Sequence, residues 1–235
     1  MADSFTGNPT SPWRPVSLLD PETVVAVGAG GVPAFRLARQ TVARAVACAN
    51  PTSGEPVHVS NGSGRVVVLG DSYSTGYALA NRGDAWVDDL GISREWDVTV
   101  VAVDGTGYTN GGDCGGQSYA ARLDVARGLH PDTLIIQGGL NDWQASPTEV
   151  EAAADALLDR VTDIRSVVLV GPNDTPAQGR PDAINAALEK AAGAHSRTYI
   201  SALDWSLSCG PDGMHMTPAG QVEFAAQVAD NLPVT

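Results

Sequence analysis

The sequence predicts an α/β domain built on a parallel sheet, and two observations carry the prediction. After Arg65, short apolar runs recur: RVVVLG at 65 to 70, DVTVVAVD at 97 to 104, DTLIIQG at 132 to 138 and RSVVLVG at 165 to 171, with RTYIS at 197 to 201 as a fifth. Runs this apolar do not alternate as a strand with one wet face would, so both faces are buried, as in a parallel sheet covered by helices. The second observation is that helical segments fill the gaps, at roughly 74 to 91, 117 to 128, 147 to 162, 181 to 193 and 217 to 231. That alternation is the pattern of helices layered on both faces of a sheet.

Two helix starts are written in local chemistry. Ser146-Pro147-Thr148-Glu149 combines an N-cap hydroxyl, a proline at the first helical position and a capping-box glutamate, and Thr217-Pro218 repeats the cap and proline. The chain before Arg65 reads differently. Pro, Ser, Thr and Gly cluster at residues 8 to 16 and again from Asn50 to Gly64, which reads as linker. Between the clusters, Val32 to Ala49 sets Phe35, Ala38, Val42 and Val46 on one helical stripe. That amphipathic helix is either an arm that attaches to another protein or a helix packed on the main domain. The expected organisation is an N-terminal extension over 1–64 and one domain over 65–235.

Composition narrows the class of function. Of 235 residues, 43% are hydrophobic and 17% charged, which is enough apolar surface for a buried core and far from a disordered composition. Fourteen basic against 27 acidic residues leave a net charge of -13, which repels phosphate backbones and anionic lipid, so no nucleic-acid partner is expected. The longest apolar candidate, Val24 to Ala34, is interrupted by glycines and is far shorter than the roughly 18 residues of a membrane span, so no transmembrane segment is expected. The N-terminus lacks the basic start and apolar run of a secretory signal. Cys48, Cys114 and Cys209 show no CxxC spacing and match no zinc framework, so no metal is expected.

In an open parallel sheet, ligands bind beyond the carboxyl ends of the strands, so the residues that close each run are the informative ones. They are Gly70-Asp71-Ser72-Tyr73-Ser74, then Asp104-Gly105-Thr106-Gly107, then Gly138-Gly139-Leu140-Asn141-Asp142. Asp212-Gly213-Met214-His215 adds a carboxylate and an imidazole just before the last helix. Together they supply a hydroxyl, a base, an orienting acid and hydrogen-bond donors. Asp71 and Asp142 also raise the question of a second carboxylate mechanism or a metal site, against which bracing of their own loops is the favoured reading.

This combination resembles the SGNH hydrolase superfamily, the GDSL esterases and lipases, whose four motif blocks occur in order across residues 70 to 220. Residues 1 to 64 lie outside the resemblance. It implies a flavodoxin-like three-layer α/β/α sandwich on a central five-stranded parallel sheet, and a serine esterase that works through an acyl-enzyme with no cofactor. Carried over by motif, Ser72 is the nucleophile, His215 its base and Asp212 the orienter of the imidazole. The oxyanion would be met by the backbone N–H of Ser72, the backbone N–H of Gly105 and the Asn141 amide. Short acyl or O-acetyl groups are expected on a small-molecule, lipid or carbohydrate alcohol. The rival reading is an envelope or virion protein that keeps this scaffold and attaches through its N-terminal arm. The expected location is extracellular after loss of a signal, or on a phage particle, over the cytoplasm.

Tyr73, Tyr108 and Trp143 adjoin the motif blocks and are candidates to line the substrate pocket, since aromatic faces suit acyl chains and sugar rings. Tyr73 stands where many family members carry a small or aliphatic residue. Cys114 and Cys209 both fall near the expected rim, where they either form a disulfide that braces the histidine loop or remain two unrelated thiols.

Overall fold

In the computed structural model, which describes residues 54–233, all five apolar runs are strands: β2 (Arg65–Gly70), β3 (Asp97–Ala102), β4 (Thr133–Gln137), β5 (Ser166–Val170) and β6 (Thr198–Ile200). These five pair in parallel in the order β3-β2-β4-β5-β6. A sixth strand, β1 (Val57–Ser60), adds antiparallel to the outer edge of β3, with Val57 opposite Val100 and His58 opposite Thr99. It lies inside the stretch expected to be linker. Its four residues carry only two apolar side chains and end at an irregularity in the register before Ser60, too little periodicity to separate from a loop. The Ser60 hydroxyl then anchors the strand end by donating to the Trp96 carbonyl at 2.8 Å. The sheet is therefore mixed and six-stranded, where five parallel strands were expected. The helix expected between residues 32 and 49 lies outside the described residues.

The period of two along each strand sorts side chains onto two faces. Val66, Val68, Val98, Val100, Ile135, Val168 and Ile200 face a core closed by α1 (Trp86–Arg94) and α5 (Pro218–Asn231), through Trp86, Leu90, Phe224 and Val228. Val67, Leu69, Leu134, Ile136 and Leu169 face the opposite core under α2 (Tyr119–Gly128), α3 (Pro147–Leu158) and α4 (Asp182–Ala194). Both capping signals are realised. Ser146 accepts the Glu149 N–H while the Glu149 carboxylate accepts the Ser146 N–H, and Thr217 accepts the Gly220 N–H at 3.2 Å. Among the described residues, no helix is long and apolar enough to cross a membrane.

The helix expected over 74 to 91 begins late. Gly76 and Ala78 adopt φ of 68° and 67°, which breaks a helix, and the Asn81 side chain accepts the Gly83 N–H in a local turn before α1 starts at Trp86. The chain after β2 is thus a compact turn.

Strand order decides where that turn sits. The connection from β2 leads to β3 on one side, and the next connection crosses to β4 on the other, so the crevice opens above the carboxyl end of β2. The segments after β2, β3 and β4 meet there.

Candidate active site

The turn after β2 is held by hydrogen bonds from distant parts of the chain. Asp71 is buried; its Oδ1 accepts the Tyr73 N–H at 3.0 Å and its Oδ2 lies 3.3 Å from the Tyr119 hydroxyl. Burial pushes this carboxyl up to about 6, against the opposing pull of the Tyr73 N–H, Gln137, Tyr119 and the Arg122 guanidinium. The Ser74 hydroxyl donates to Gln137 Oε1 at 2.7 Å. Arg122, itself buried, donates to the Gly70 and Val101 carbonyls and to the Thr106 hydroxyl, tying the ends of β2 and β3 together.

Gly138 shows why a glycine follows β4. Its φ is 149°, and a Cβ there would stand 1.9 Å from the Tyr119 hydroxyl. The hydroxyl occupies that space to donate to the Gln137 carbonyl at 2.7 Å.

The histidine arrives on the loop before α5. Asp212 Oδ1 accepts the N–H groups of Met214 and His215, both at 3.0 Å, and Oδ2 lies 2.6 Å from His215 Nδ1. Burial alone would raise the Asp212 carboxyl, but the Met214 N–H, the His215 ring and the His215 N–H outweigh it and hold the pKa at about 2. An ionised carboxylate only accepts, so His215 Nδ1 carries the proton and donates to it. Nε2 is left to accept, and it stands 3.1 Å from Ser72 Oγ. An imidazole fixed in this tautomer can take the serine proton and return it.

Gly105, at φ 71°, opens onto free space, with nothing within 4 Å of where a Cβ would stand. Asn141 Nδ2 donates to the Thr106 carbonyl at 2.9 Å and lies 3.4 Å from Asp71 Oδ2. The Asp142 carboxylate accepts from the Tyr108, Thr109 and Asn110 N–H groups and from the Thr109 hydroxyl. A Cβ on Gly107 would sit 2.3 Å from that carboxylate, so only glycine lets the loop wrap it. Asp142 braces the loop and faces away from proton chemistry.

Two aromatic expectations are corrected. Tyr73 is only 3% exposed, with its hydroxyl donating to the Met214 carbonyl at 2.6 Å, so it lies in the core beneath the site. Tyr108 is 4% exposed and packs against Tyr119 at 5.0 Å between ring centroids. Both point inward because the polar ends of their turns are taken by Asp71 and Asp142, leaving the rings to fill the two cores. Trp143, 63% exposed, stands at the surface two residues after Asn141. Tyr77 was missed: it is 45% exposed, and its ring centroid lies 4.7 Å from that of His215. It belongs to no motif block and falls in the segment read as helix, so no signal in the sequence singled it out.

The Cys114–Cys209 bridge is not formed, because Cys209 is a free thiol. Its backbone is bridged to Met216, and this pairing shapes the histidine loop without a disulfide. A cavity of about 510 Å³ lies nearby between β1, β3 and α1, lined by Val57, Val59, Val87, Val100, Ser74 and Thr75 among others. Neither Ser72 nor His215 lines it.

Residues 68–222 match the GDSL-like lipase/acylhydrolase family. The chain belongs to this family. The match spans every segment that contributes to the crevice. No curated protein matches the sequence. Among solved structures, a family two carbohydrate esterase from Clostridium thermocellum, in complex with cellohexaose, is 15% identical with a TM-score of 0.61, the match covering 73% of this chain and 64% of that one. This GDSL-family chain thus spans less than two thirds of that esterase. A carbohydrate acetylesterase from Sinorhizobium meliloti is 16% identical with a TM-score of 0.61, covering 71% of this chain and 96% of the other. At such identities the likeness is one of fold.

Proposed function

We propose that this chain is a serine esterase that removes short acyl groups, acetyl foremost, from carbohydrate hydroxyls through an acyl-enzyme. The observation that carries the reading is the unbroken relay from Asp212 through His215 to Ser72, at 2.6 and 3.1 Å. In this scheme Ser72 Oγ attacks the ester carbonyl while His215 Nε2 takes its proton. The imidazolium that forms is stabilised by Asp212, which stays ionised. His215 then returns the proton to the departing alcohol oxygen, leaving the acyl group on Ser72. Water enters, gives its proton to His215 and releases the carboxylic acid, and Ser72 recovers its hydrogen.

The tetrahedral intermediate bears a negative oxygen, which the N–H groups of Ser72 and Gly105 and the Asn141 amide would meet. Of the two hydrogens on Asn141 Nδ2, one is committed to the Thr106 carbonyl, which pins the amide plane. The other faces Asp71 Oδ2 at 3.4 Å, a long contact that leaves this hydrogen as the one available to an oxyanion. The preference for carbohydrate is supported by two exposed rings, Tyr77 against the relay's imidazole and Trp143 two residues after Asn141, which offer flat faces to a sugar. The two solved structures of like fold, both described as carbohydrate esterases, support it as well.

The deciding experiment is labelling with a fluorophosphonate followed by peptide mass mapping, together with hydrolysis of an O-acetylated sugar and of p-nitrophenyl esters of increasing acyl length. The expected result is a single adduct on Ser72 and rates that fall beyond butyrate. No adduct and no hydrolysis would overturn the esterase reading, and faster cleavage of long acyl chains would overturn the substrate class.

A further inference from the structure

The relay contains one local hydrogen bond and one long-range hydrogen bond. Asp212 and His215 are three residues apart, and the loop that joins them is closed on itself by the two N–H bonds to Asp212 Oδ1 and by Gly210 N–H donating to the His215 carbonyl at 2.8 Å. Ser72 and His215 are 143 residues apart. Their separation is therefore set by how the whole histidine loop rests over the turn after β2.

Most bonds that hold the loop lead elsewhere. The Ser208 N–H and hydroxyl bond to Glu223 of α5, the Thr217 hydroxyl donates to the Ser208 carbonyl, and the Ala177 N–H donates to the Gly213 carbonyl from the segment after β5. Tyr77 touches the imidazole from the Ser72 turn, but through an exposed ring with no hydrogen bond. Tyr73 is different on every count. It follows Ser72 in the chain, and its hydroxyl donates at 2.6 Å to the carbonyl of Met214, the residue before His215. Its ring meets His215 edge-on at 6.1 Å and Phe224 at 6.1 Å and 87°. Burial holds the phenol far above its ordinary pKa, with Asn173 beside the hydroxyl, so it stays a donor at every working pH.

We propose that Tyr73 is a positioning residue that sets the distance between Ser72 and His215 by clamping the carbonyl of Met214. This goes beyond the esterase reading and rests on it. The clamp joins the residue after the nucleophile to the residue before the base, so the two reacting atoms sit at the ends of one short, rigid bracket. Removing the hydroxyl frees the loop to ride away from the turn while leaving the bond between Asp212 and His215 untouched, because that bond lies wholly inside the loop.

The test is Tyr73→Phe, which keeps the ring in the core, with Tyr73→Leu as the variant that removes the ring too. Four quantities are measured: kcat and KM on p-nitrophenyl acetate, the rate of fluorophosphonate labelling at Ser72, the far-downfield proton resonance of His215 Nδ1–H, and Tm. For Tyr73→Phe, kcat and the labelling rate are each expected to fall about tenfold, as for loss of one well-placed hydrogen bond. KM should stay within about twofold and the Nδ1–H resonance should persist. Tyr73→Leu should lose more of kcat. Unchanged kcat and labelling in Tyr73→Phe would overturn the proposal. So would joint loss of activity, the Nδ1–H resonance and Tm, which would make Tyr73 an ordinary core residue. A wild-type protein that neither labels nor hydrolyses would instead fail the esterase reading itself.

Discussion

In the turn after β2, Asp71, Ser72 and Ser74 are all buried, and the hydrogen-bond partners of Ser74 and Asp71, Gln137 and Tyr119, come from β4 and α2. In the loop before α5, the Asp212 side chain is 46% exposed, and its carboxylate bonds only to residues two and three positions on. The turn is thus built by the fold and the loop largely by its own sequence. The difference teaches where stability and activity are separable. Substitutions in the loop should cost rate and little stability, whereas substitutions beneath the turn should register in both.

The largest effect expected is from Ser72→Ala, which should reduce hydrolysis of p-nitrophenyl acetate to background with Tm unchanged within about 1 °C, since one small hydroxyl is lost from a site with no packing role. Residual turnover near wild type would break the comparison at its centre. Next is Asp212→Asn, in which the remaining amide oxygen can still accept the Met214 and His215 N–H groups while its NH2 confronts Nδ1 and forces the wrong imidazole tautomer. A fall in kcat of roughly 10³- to 10⁴-fold is expected, with Tm at pH 7 nearly unchanged. A large drop in Tm would show that the loop is not self-supporting.

Asn141→Ala should lower kcat about 10²- to 10³-fold with little change in KM, because an oxyanion forms only after attack. Its bond to the Thr106 carbonyl also ties two segments, so Tm should fall by about 2 to 4 °C for the loss of about 1 kcal/mol. Equal Tm values would place Asn141 with the loop and not with the turn.

The smallest effect is read through stability and tests the buried end. Because burial holds the Asp71 carboxyl at about 6, against 3.8 for an ordinary one, the folded state favours its protonated form. The native protein therefore binds more protons than the unfolded chain between these values, and stability falls as pH rises through that window. Asp71→Asn stays neutral, so its Tm relative to wild type should climb from pH 4 to pH 6 and then level. The ceiling is about 3 kcal/mol at 1.36 kcal/mol per pH unit, reduced by the amide nitrogen that replaces an acceptor facing Asn141. A gap that is flat with pH would mean that Asp71 is not desolvated.

The five parallel strands were legible because their runs are largely apolar on both faces, and the motif segments because three of them close such a run and the fourth precedes the last helix. The two helix caps and the Asp212 to His215 spacing are likewise short-range matters, whereas the glycine at 107 answers to the Asp142 carboxylate from a distant segment. What escaped was non-local. β1 has too few residues to show a period, and it became a strand only because β3 offers it an edge. The stretch from 74 to 85 carries apolar residues at helical spacing, yet Gly76 and Ala78 take positive φ so that the chain can fold back over β2.

The amino-acid sequence alone determined the chemistry at hand: a hydroxyl, an imidazole, a carboxylate and an amide, each at the end of a strand or before a helix. Only the tertiary structure decided how far apart they stand and which neighbours face them. It turned Tyr73 and Tyr108 inward, brought Tyr77 against the imidazole and left Cys209 unbridged. The physical reason is that backbone turns and caps are satisfied within three or four residues, so their sequence code is local. The direction of a side chain at a crevice is instead settled by which of two competing cores closes around it.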